Sequence, residues 1–546
     1  LLTNPISEES AMTARVIFIG LDAAESTLLE RWAREGFCPS LRSAMEQGAT
    51  IRMASSLETL PGAIWPEISS GMGCGRHAHF YHGQQLHTGE AFKRPLEPQE
   101  INTELYYWVR ASRAGQRVFV SDIPQTVPAK DFNGLQLFEW GTHDRNFAIT
   151  SEPPSLLEEI RGKYGDHPIT ACDSHGETRE GYAKLLRGLK QGASVKTRIY
   201  LDYLKREPWD LFNVCFTESH CAGHQFWHFL DPNHPKHDPD APDEFKNAVR
   251  DVYAEIDKGI GALIEAAGPG AKTVLVASHG MALYSGGPNL LNEVLARLGL
   301  TSEGEDTMQG RFWRNLQFSS NPVIRTLREA FKSLASKHVI QTIQSGSGSL
   351  HEPFSRSETR AAELRNNRCG AIRLNLKGRE PFGEIAPGNE AAAITETVRE
   401  ALLELRDPAT REPIVKKVYT AREAFGPGHH PDVPDILVVF RDDLGVLDAC
   451  WSERLGLIKR TVYQHWLPRT GDHTPHSAMW VVNGPFPAGA QYAGGDVLDV
   501  GPTVLELLGL APPDDIDGRS LTRLISGMET APRDARTGPR AMGLGF

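Results

Sequence analysis

The sequence has no apolar run approaching the roughly 18 residues that a membrane-crossing helix needs. Its longest runs, Val16–Leu21 and Ile436–Phe440, have the length of strands. The first of these lacks the basic segment that opens a signal peptide, so the expectation is a soluble, cytoplasmic protein with no membrane partner. Cysteine is sparse and its pattern is unpaired. The seven residues Cys38, Cys74, Cys172, Cys215, Cys221, Cys369 and Cys450 form an odd set with no Cys-x-x-Cys spacing. That excludes a disulfide framework or a zinc knuckle and fits a reducing compartment. Positive charge is also in deficit: Lys+Arg 58 against Asp+Glu 69 gives a net −11, with no basic block. A surface that tracks phosphates needs clustered Lys and Arg, so nucleic acid is not expected as a structural partner.

What is present is an ordinary globular composition, 40% hydrophobic and 23% charged over 546 residues. At about 150 residues per domain, this length holds three or four units, or one large α/β domain with insertions. Strand-like runs alternate with helical patterns: Arg15–Gly20 before Thr27–Gln47, then Arg117–Ser121, Leu211–Thr217 before a helix from Gln225, and Asp251–Ala267 before Thr273–Ala277. This alternation predicts a mostly parallel sheet with helices on its faces. Later strands are expected at Ala371–Leu376, Val415–Tyr419, Pro434–Phe440 and Ala478–Val482, and a helix at Asp499–Leu510 stopped by Gly509. No internal repeat is seen. The expected organisation is an extension over 1–11 before Met12, an α/β core over 12–288, an inserted cap region over 289–428 containing the flexible stretch Gln344–Leu350, a second part of the core over 429–526, and a polar tail over 527–546.

In parallel sheets, chemistry gathers at the carboxyl ends of the strands. Asp22, Glu218–His224 and Ser278–His279 stand at such ends. His220, His224 and His228 recur every four residues, which places them on one face if the segment is helical. Spacing alone does not separate a ligand face from a polar face of satisfied histidines.

Six motifs in order carry more: Val16–Glu25 (VIFIGLDAAE), Ser56–His77 (SLETLPGAIWPEISSGMGCGRH), Phe216–His228 (FTESHCAGHQFWH), Ala277–Met281 (ASHGM), Arg469–His476 (RTGDHTPH) and Asp499–Leu510 (DVGPTVLELLGL). Asn375–Glu380 and Pro434-Asp435 add to them. Together they resemble the type I phosphodiesterase/nucleotide pyrophosphatase branch of the alkaline phosphatase superfamily, from about Arg15 to Leu521. The resemblance implies an alkaline-phosphatase-like three-layer α/β sandwich with an inserted cap. It implies a metal-dependent hydrolase of a small-molecule phosphate ester, foremost a phosphodiesterase, with two divalent ions, zinc or else manganese. By resemblance the nucleophile is Thr59, with Ser55 and Ser56 as alternatives, and a covalent phosphothreonine forms. The implied ligands of the first ion are His220, His224 and His473. Those of the second are Asp22, His279 and the Thr59 oxygen.

Two positions depart from the family pattern. His220 stands where the family has Asp, and imidazole is a competent zinc ligand. Ser278 stands where the family has a ligating Asp, which weakens the second site unless Glu218 or Asp472 joins it; Glu218 equally reads as a solvated residue. With two ions the centre would carry a charge of about +2, either binding a strongly anionic substrate or holding its second ion weakly. Arg76, His77, His79 and His82 read as pocket or loop-fixing residues, and His429 and His430 as part of a rim loop. Trp65, Phe226 and Trp227 read as core or as a stacking surface. The neighbouring alternatives are a phosphomonoesterase, a phosphonate or sulfate ester hydrolase, and a non-catalytic binding protein on a degenerate scaffold. Cys74-Gly75-Arg76 does not fit the sulfatase Cys/Ser-x-Pro-x-Arg motif, and the Asp-Gly-x-Gly opening of the phosphomutase branch is absent. Oligomeric state is not read from the sequence.

Overall fold

The computed structural model describes residues 14–54, 61–81, 96–141, 147–169, 178–301, 359–364, 366, 368–459 and 469–522. Its strands are β1 (Ala14–Leu21), β2 (Ala49–Ala54), β3 (Val118–Ser121), β4 (Gly134–Phe138), β5 (Thr150–Glu152), β6 (Trp209–Phe216), β7 (Lys272–Ala277), β8 (Gly280–Leu283), β9 (Ala361–Leu364), β10 (Gly370–Leu374), β11 (Val415–Thr420), β12 (Ile436–Phe440), β13 (Ala449–Ser452), β14 (Gly456–Lys459), β15 (Gly471–Thr474), β16 (His476–Val482) and β17 (Gln491–Asp496).

Nine of them form one sheet in the order β17-β2-β16-β7-β1-β6-β3-β4-β5. At its centre β1 runs parallel to β6 and β7. Val16 to Ile19 have no exposed surface, because a central parallel strand is covered on both faces and therefore reads as an unbroken apolar run. On one face, Leu29, Trp32 and Leu41 pack with Leu185, Ile199, Val252 and Ile260. On the other, Ile64, Trp65 and Ile68 pack with Trp108, Val500 and Val504. The result is helix, sheet, helix: the three-layer α/β sandwich with a mostly parallel sheet that the sequence predicted.

The register of the three central strands positions everything that follows. Leu21 lies beside Phe216 on one side and Ala277 on the other. The ladder runs one step further, with Asp22 N–H donating to the Phe216 carbonyl at 2.9 Å and Ser278 N–H to that of Leu21 at 3.1 Å. Residues that follow β1, β6 and β7 therefore emerge side by side at one sheet edge.

Two expectations change in detail. The pattern over Thr27–Gln47 is two helices, Ser26–Arg34 and Pro39–Gln47. Gly36 sits at φ 89°, which favours glycine, and Pro39 opens the second helix. The helix expected from Gln225 begins earlier, at Glu218, which puts His220 and His224 on its first turns. The stop at Gly509 is as expected, with φ 84° and Leu510 N–H reaching back to the Leu505 carbonyl at 2.9 Å.

A second, antiparallel sheet has the order β11-β12-β10-β9. Arg373, fully buried in it, donates to Glu380 at 2.7 Å and to the Val433 carbonyl at 2.9 Å. This fixes the loop before β12. That loop docks on the core: His430 N–H donates to the Gly75 carbonyl at 2.7 Å, and a Cβ at Gly75 would lie 2.6 Å from Phe425. Glycine is needed there for close approach. The stretch Gln344–Leu350 lies outside the described residues.

The second helix, Pro39–Gln47, has no side-chain cap of its own at Cys38. Its first amides are bound by Asp257, whose carboxylate accepts from Ser40 N–H at 2.9 Å and Leu41 N–H at 2.8 Å. Orphan amides at a helix start need an acceptor, so Asp257→Ala is expected to destabilise the protein by about 1–3 kcal/mol, with Asp257→Asn losing less. Urea denaturation checks this, and an unchanged Asp257→Ala midpoint would rule it out.

Candidate metal centre

Five of the six residues predicted for the site converge. Asp22 follows β1, His279 follows β7, and His220 and His224 share one face of the helix Glu218–Leu230. His473 lies on β15, opposite Met281 of β8, so a two-stranded antiparallel pairing of remote segments carries His473 next to the strand that leaves His279. Strand β15 presses directly on the helix: a Cβ at Gly471 would overlap the Gly223 carbonyl. Thr59, with Ser55, Ser56 and His82, lies outside the described residues.

The ligand atoms of His220, His224 and His473 all lie within 4.8 Å of one another. His220 Nε2 is 2.8 Å from His224 Nε2 and 2.8 Å from His473 Nε2. The other ring nitrogens decide what these contacts are. His224 Nδ1 is 2.7 Å from the Gly471 carbonyl, which can only accept, so Nδ1 carries the proton and Nε2 the lone pair. His220 Nδ1 is 2.6 Å from Asp22 Oδ2, a carboxylate that takes its proton in the same way. When both rings are neutral, two lone pairs thus face each other across 2.8 Å, which is repulsive unless a proton or a metal cation lies between them. Three imidazoles, two of them with their second nitrogens anchored on a carboxylate and a carbonyl, are a donor set suited to zinc.

Asp22 is nearly fully buried. Burial raises its carboxyl, but the His220 charge and hydrogen bond, His279 and the Trp65 indole outweigh that and hold it well below the usual carboxylate range. Trp65 Nε1–H donates to Asp22 Oδ1 at 2.7 Å. Each carboxylate oxygen takes one N–H and keeps a further lone pair. His279, with ring centroids 4.4 Å from His473 and 6.0 Å from His220, is held down to about 4, first by burial and also by the charge of His220, against the pull of Asp22. Its Nε2 is buried and has no hydrogen-bond partner among the described residues. His473 is lowered further, by burial and then by its histidine neighbours. His279 and His473 are therefore neutral imidazoles at ordinary pH, the form that binds a metal, and the buried His279 Nε2 is the kind of polar atom that a bound ion would satisfy.

Ser278 does not leave its hydroxyl open. Oγ lies 3.0 Å from His279 Nδ1 and accepts from Ala23 N–H at 3.2 Å, so it orients the histidine beside it. Glu218 is 1% exposed. Its Oε1 is bound by His167 at 3.0 Å and sits 3.5 Å from Lys196 Nζ, while Oε2 accepts from Thr217 N–H at 3.0 Å. It belongs to a buried ion cluster behind the centre. Asp472 accepts from His473 N–H at 2.9 Å. His228 shares the helix face but turns to Thr470, its Nδ1 lying 3.1 Å from that hydroxyl. His77 Nδ1 accepts from His79 N–H at 3.0 Å, which fixes its loop. Trp65 and Phe226 are core. The roles of the Trp65 indole and the Gly471 carbonyl were not foreseen, since neither residue type signals hydrogen bonding to a metal site.

In comparison with known proteins, the chain matches the family described as type I phosphodiesterase / nucleotide pyrophosphatase over residues 16–466. Among curated proteins no match is found.

The depressed value for His279 gives a pH dependence. An unfolded chain takes up a proton near pH 6.5, and the folded one only near 4. Between these values the unfolded state binds more protons, so stability falls as pH drops through that window and is level above it. The metal-free melting midpoint should therefore decline from about pH 6.5 to 4, with a shallower slope in His279→Gln. Equal slopes in the two proteins would refute the assignment.

Proposed function

The chain belongs to the type I phosphodiesterase/nucleotide pyrophosphatase family, and from that premise we propose that it hydrolyses small-molecule phosphate esters, foremost phosphodiesters, with Thr59 as nucleophile. The observation that supports this reading most is the convergence of Asp22, His220, His224, His279 and His473 at one sheet edge, with imidazole lone pairs turned toward one another. His220, His224 and His473 would hold one divalent ion, zinc or else manganese, and Asp22 and His279 a second together with Thr59. When bound, such ions supply Lewis acidity that favours the Thr59 alkoxide and the charge developing on the transferred group.

The chain's own residues do the rest. Thr59 Oγ1 attacks phosphorus in line, the ester oxygen leaves with its electron pair, and a phosphothreonine forms. Water then attacks phosphorus from the side the leaving group vacated, breaking the bond to Thr59, so two inversions give overall retention. Asp22 keeps His220 in the Nδ1–H tautomer through both steps, and Trp65 keeps Asp22 in place. The inserted region, expected over 289–428, is read as the cap that meets the organic part of the substrate. A reducing compartment such as the cytoplasm fits the buried thiols of Cys38, Cys74, Cys215 and Cys450.

A second reading concerns metal number. With the Ser278 hydroxyl committed to Ala23 and His279, a second ion would be held by fewer strong ligands than the first and would exchange faster. Hydrolysis of bis-p-nitrophenyl phosphate is expected to disappear in Thr59→Ala and on chelation, and to return with added zinc. Ser278→Asp should raise bound zinc toward two per chain. Undiminished turnover by Thr59→Ala would end the nucleophile assignment, and a purified chain that neither holds nor takes up metal would favour the non-catalytic binding protein.

A further inference from the structure

One residue joins the two elements that carry the three histidines without contributing a ligand. Thr470, 3% exposed, immediately precedes β15. Its N–H donates to the His224 carbonyl at 2.7 Å, and its Oγ1 lies 3.2 Å from the same oxygen. The same Oγ1 accepts from His228 N–H at 3.3 Å and lies 3.1 Å from His228 Nδ1. The His224 carbonyl and the His228 N–H are the two groups that one turn of an α-helix pairs. Thr470 therefore grips the helix at the turn below His224. On its other side the Thr470 carbonyl accepts from Tyr284 N–H at 3.1 Å, where the chain leaves β8.

The next residue makes the consequence specific. Gly471 supplies the carbonyl that takes the His224 Nδ1 proton at 2.7 Å, and His473 follows two residues on. A shift of Thr470 moves that carbonyl away from His224, releases the tautomer that points the lone pair inward, and carries His473 away from His220. His237 closes the arrangement, its Nδ1–H donating to the His228 carbonyl at 2.9 Å.

We propose that Thr470 is a positioning residue for the metal centre: its hydroxyl locks the start of β15 to the helix, and so sets both the tautomer of His224 and the distance between His224 and His473. The third histidine of the four-residue series, His228, serves this lock and not the centre itself. The proposal rests on the metal-centre reading above.

The test is zinc binding by the full metal-free chain, titrated against a competing chromophoric chelator. Thr470→Val keeps the shape and removes the hydroxyl, whereas Thr470→Ser keeps the hydroxyl. Wild type and Thr470→Ser are expected to bind zinc alike, and Thr470→Val about 10- to 100-fold more weakly, with its circular dichroism unchanged and its metal-free melting midpoint modestly lowered but still cooperative. Equal affinity in Thr470→Val and wild type would overturn the proposal. If Thr470→Val proves misfolded, the same comparison is made between His228→Asn, which keeps an N–H donor near the Nδ1 position, and His228→Leu. Weaker binding by the leucine variant alone supports the lock, and equal binding overturns it. A wild-type chain that takes up no zinc removes the metal-centre reading and this proposal together, an outcome seen before any variant is compared.

Discussion

The centre depends on one electrostatic constraint: imidazole nitrogens of three histidines are held 2.8 Å apart, and in neutral rings their lone pairs turn inward. Such an arrangement is unfavourable on its own, since two acceptors do not bond each other. It persists only because the opposite ring nitrogens are committed elsewhere, His220 to the Asp22 carboxylate and His224 to the Gly471 carbonyl. Each commitment has its own support. Asp22 is fixed by the Trp65 indole, and Gly471 by its lack of a side chain against Gly223 and by the bonds of Thr470. Much of the polar interior near the sheet edge can be traced to the need to keep these rings from turning over.

Behind this layer, the three central strands supply the common frame. Because Leu21, Phe216 and Ala277 are adjacent in register, the loops that follow them do not have to be long or adaptable to meet. The buried cluster of Lys196, Asp122, Glu218 and His167 closes the rear of the same edge. Its charges are desolvated, and each is balanced by a neighbour of opposite sign or by backbone carbonyls, as Lys196 Nζ shows in bonding the Gly141 carbonyl at 3.1 Å and Thr217 at 2.9 Å. A buried pair of this kind contributes little net stability but is strongly destabilising to break, which suits a base on which ligands must not move.

Much of this was legible in the sequence. The central strands were found because burial on both faces leaves apolar runs bounded by polar residues, and the ends of those runs named Asp22, His220, His224 and His279 as neighbours. Their chemistry came from the order of motifs, since four-residue spacing could not tell that His228 serves Thr470 while His220 and His224 face the centre. Glu218 read as either a ligand or a solvated residue and is neither, because its partners come from remote segments at His167 and Lys196. The strand Ile436–Phe440 was evident as a strand, but an apolar run does not announce which sheet it joins, and it pairs with β10 and β11 in the smaller one. Trp65 illustrates the same limit: its size marks it as core, and only the fold shows which way the indole N–H points. Thr59 rests on its motif.

The position of β16 carries a consequence for how the molecule is assembled. This late strand lies between β7 and β2, antiparallel to both, so Met479 pairs with Val276 on one side and Ile51 on the other. More than 400 residues separate β2 from β16, so that gap in the sheet closes late in synthesis, and β15, with His473, arrives just ahead of it. Pairings this distant in sequence are slow to form because the intervening chain must first be brought into a loop. Until then the early strands expose unpaired edges, and the histidines of the first half lack their last companion. Capture of a cation would thus mark the end of folding, a seal set on a sheet already complete.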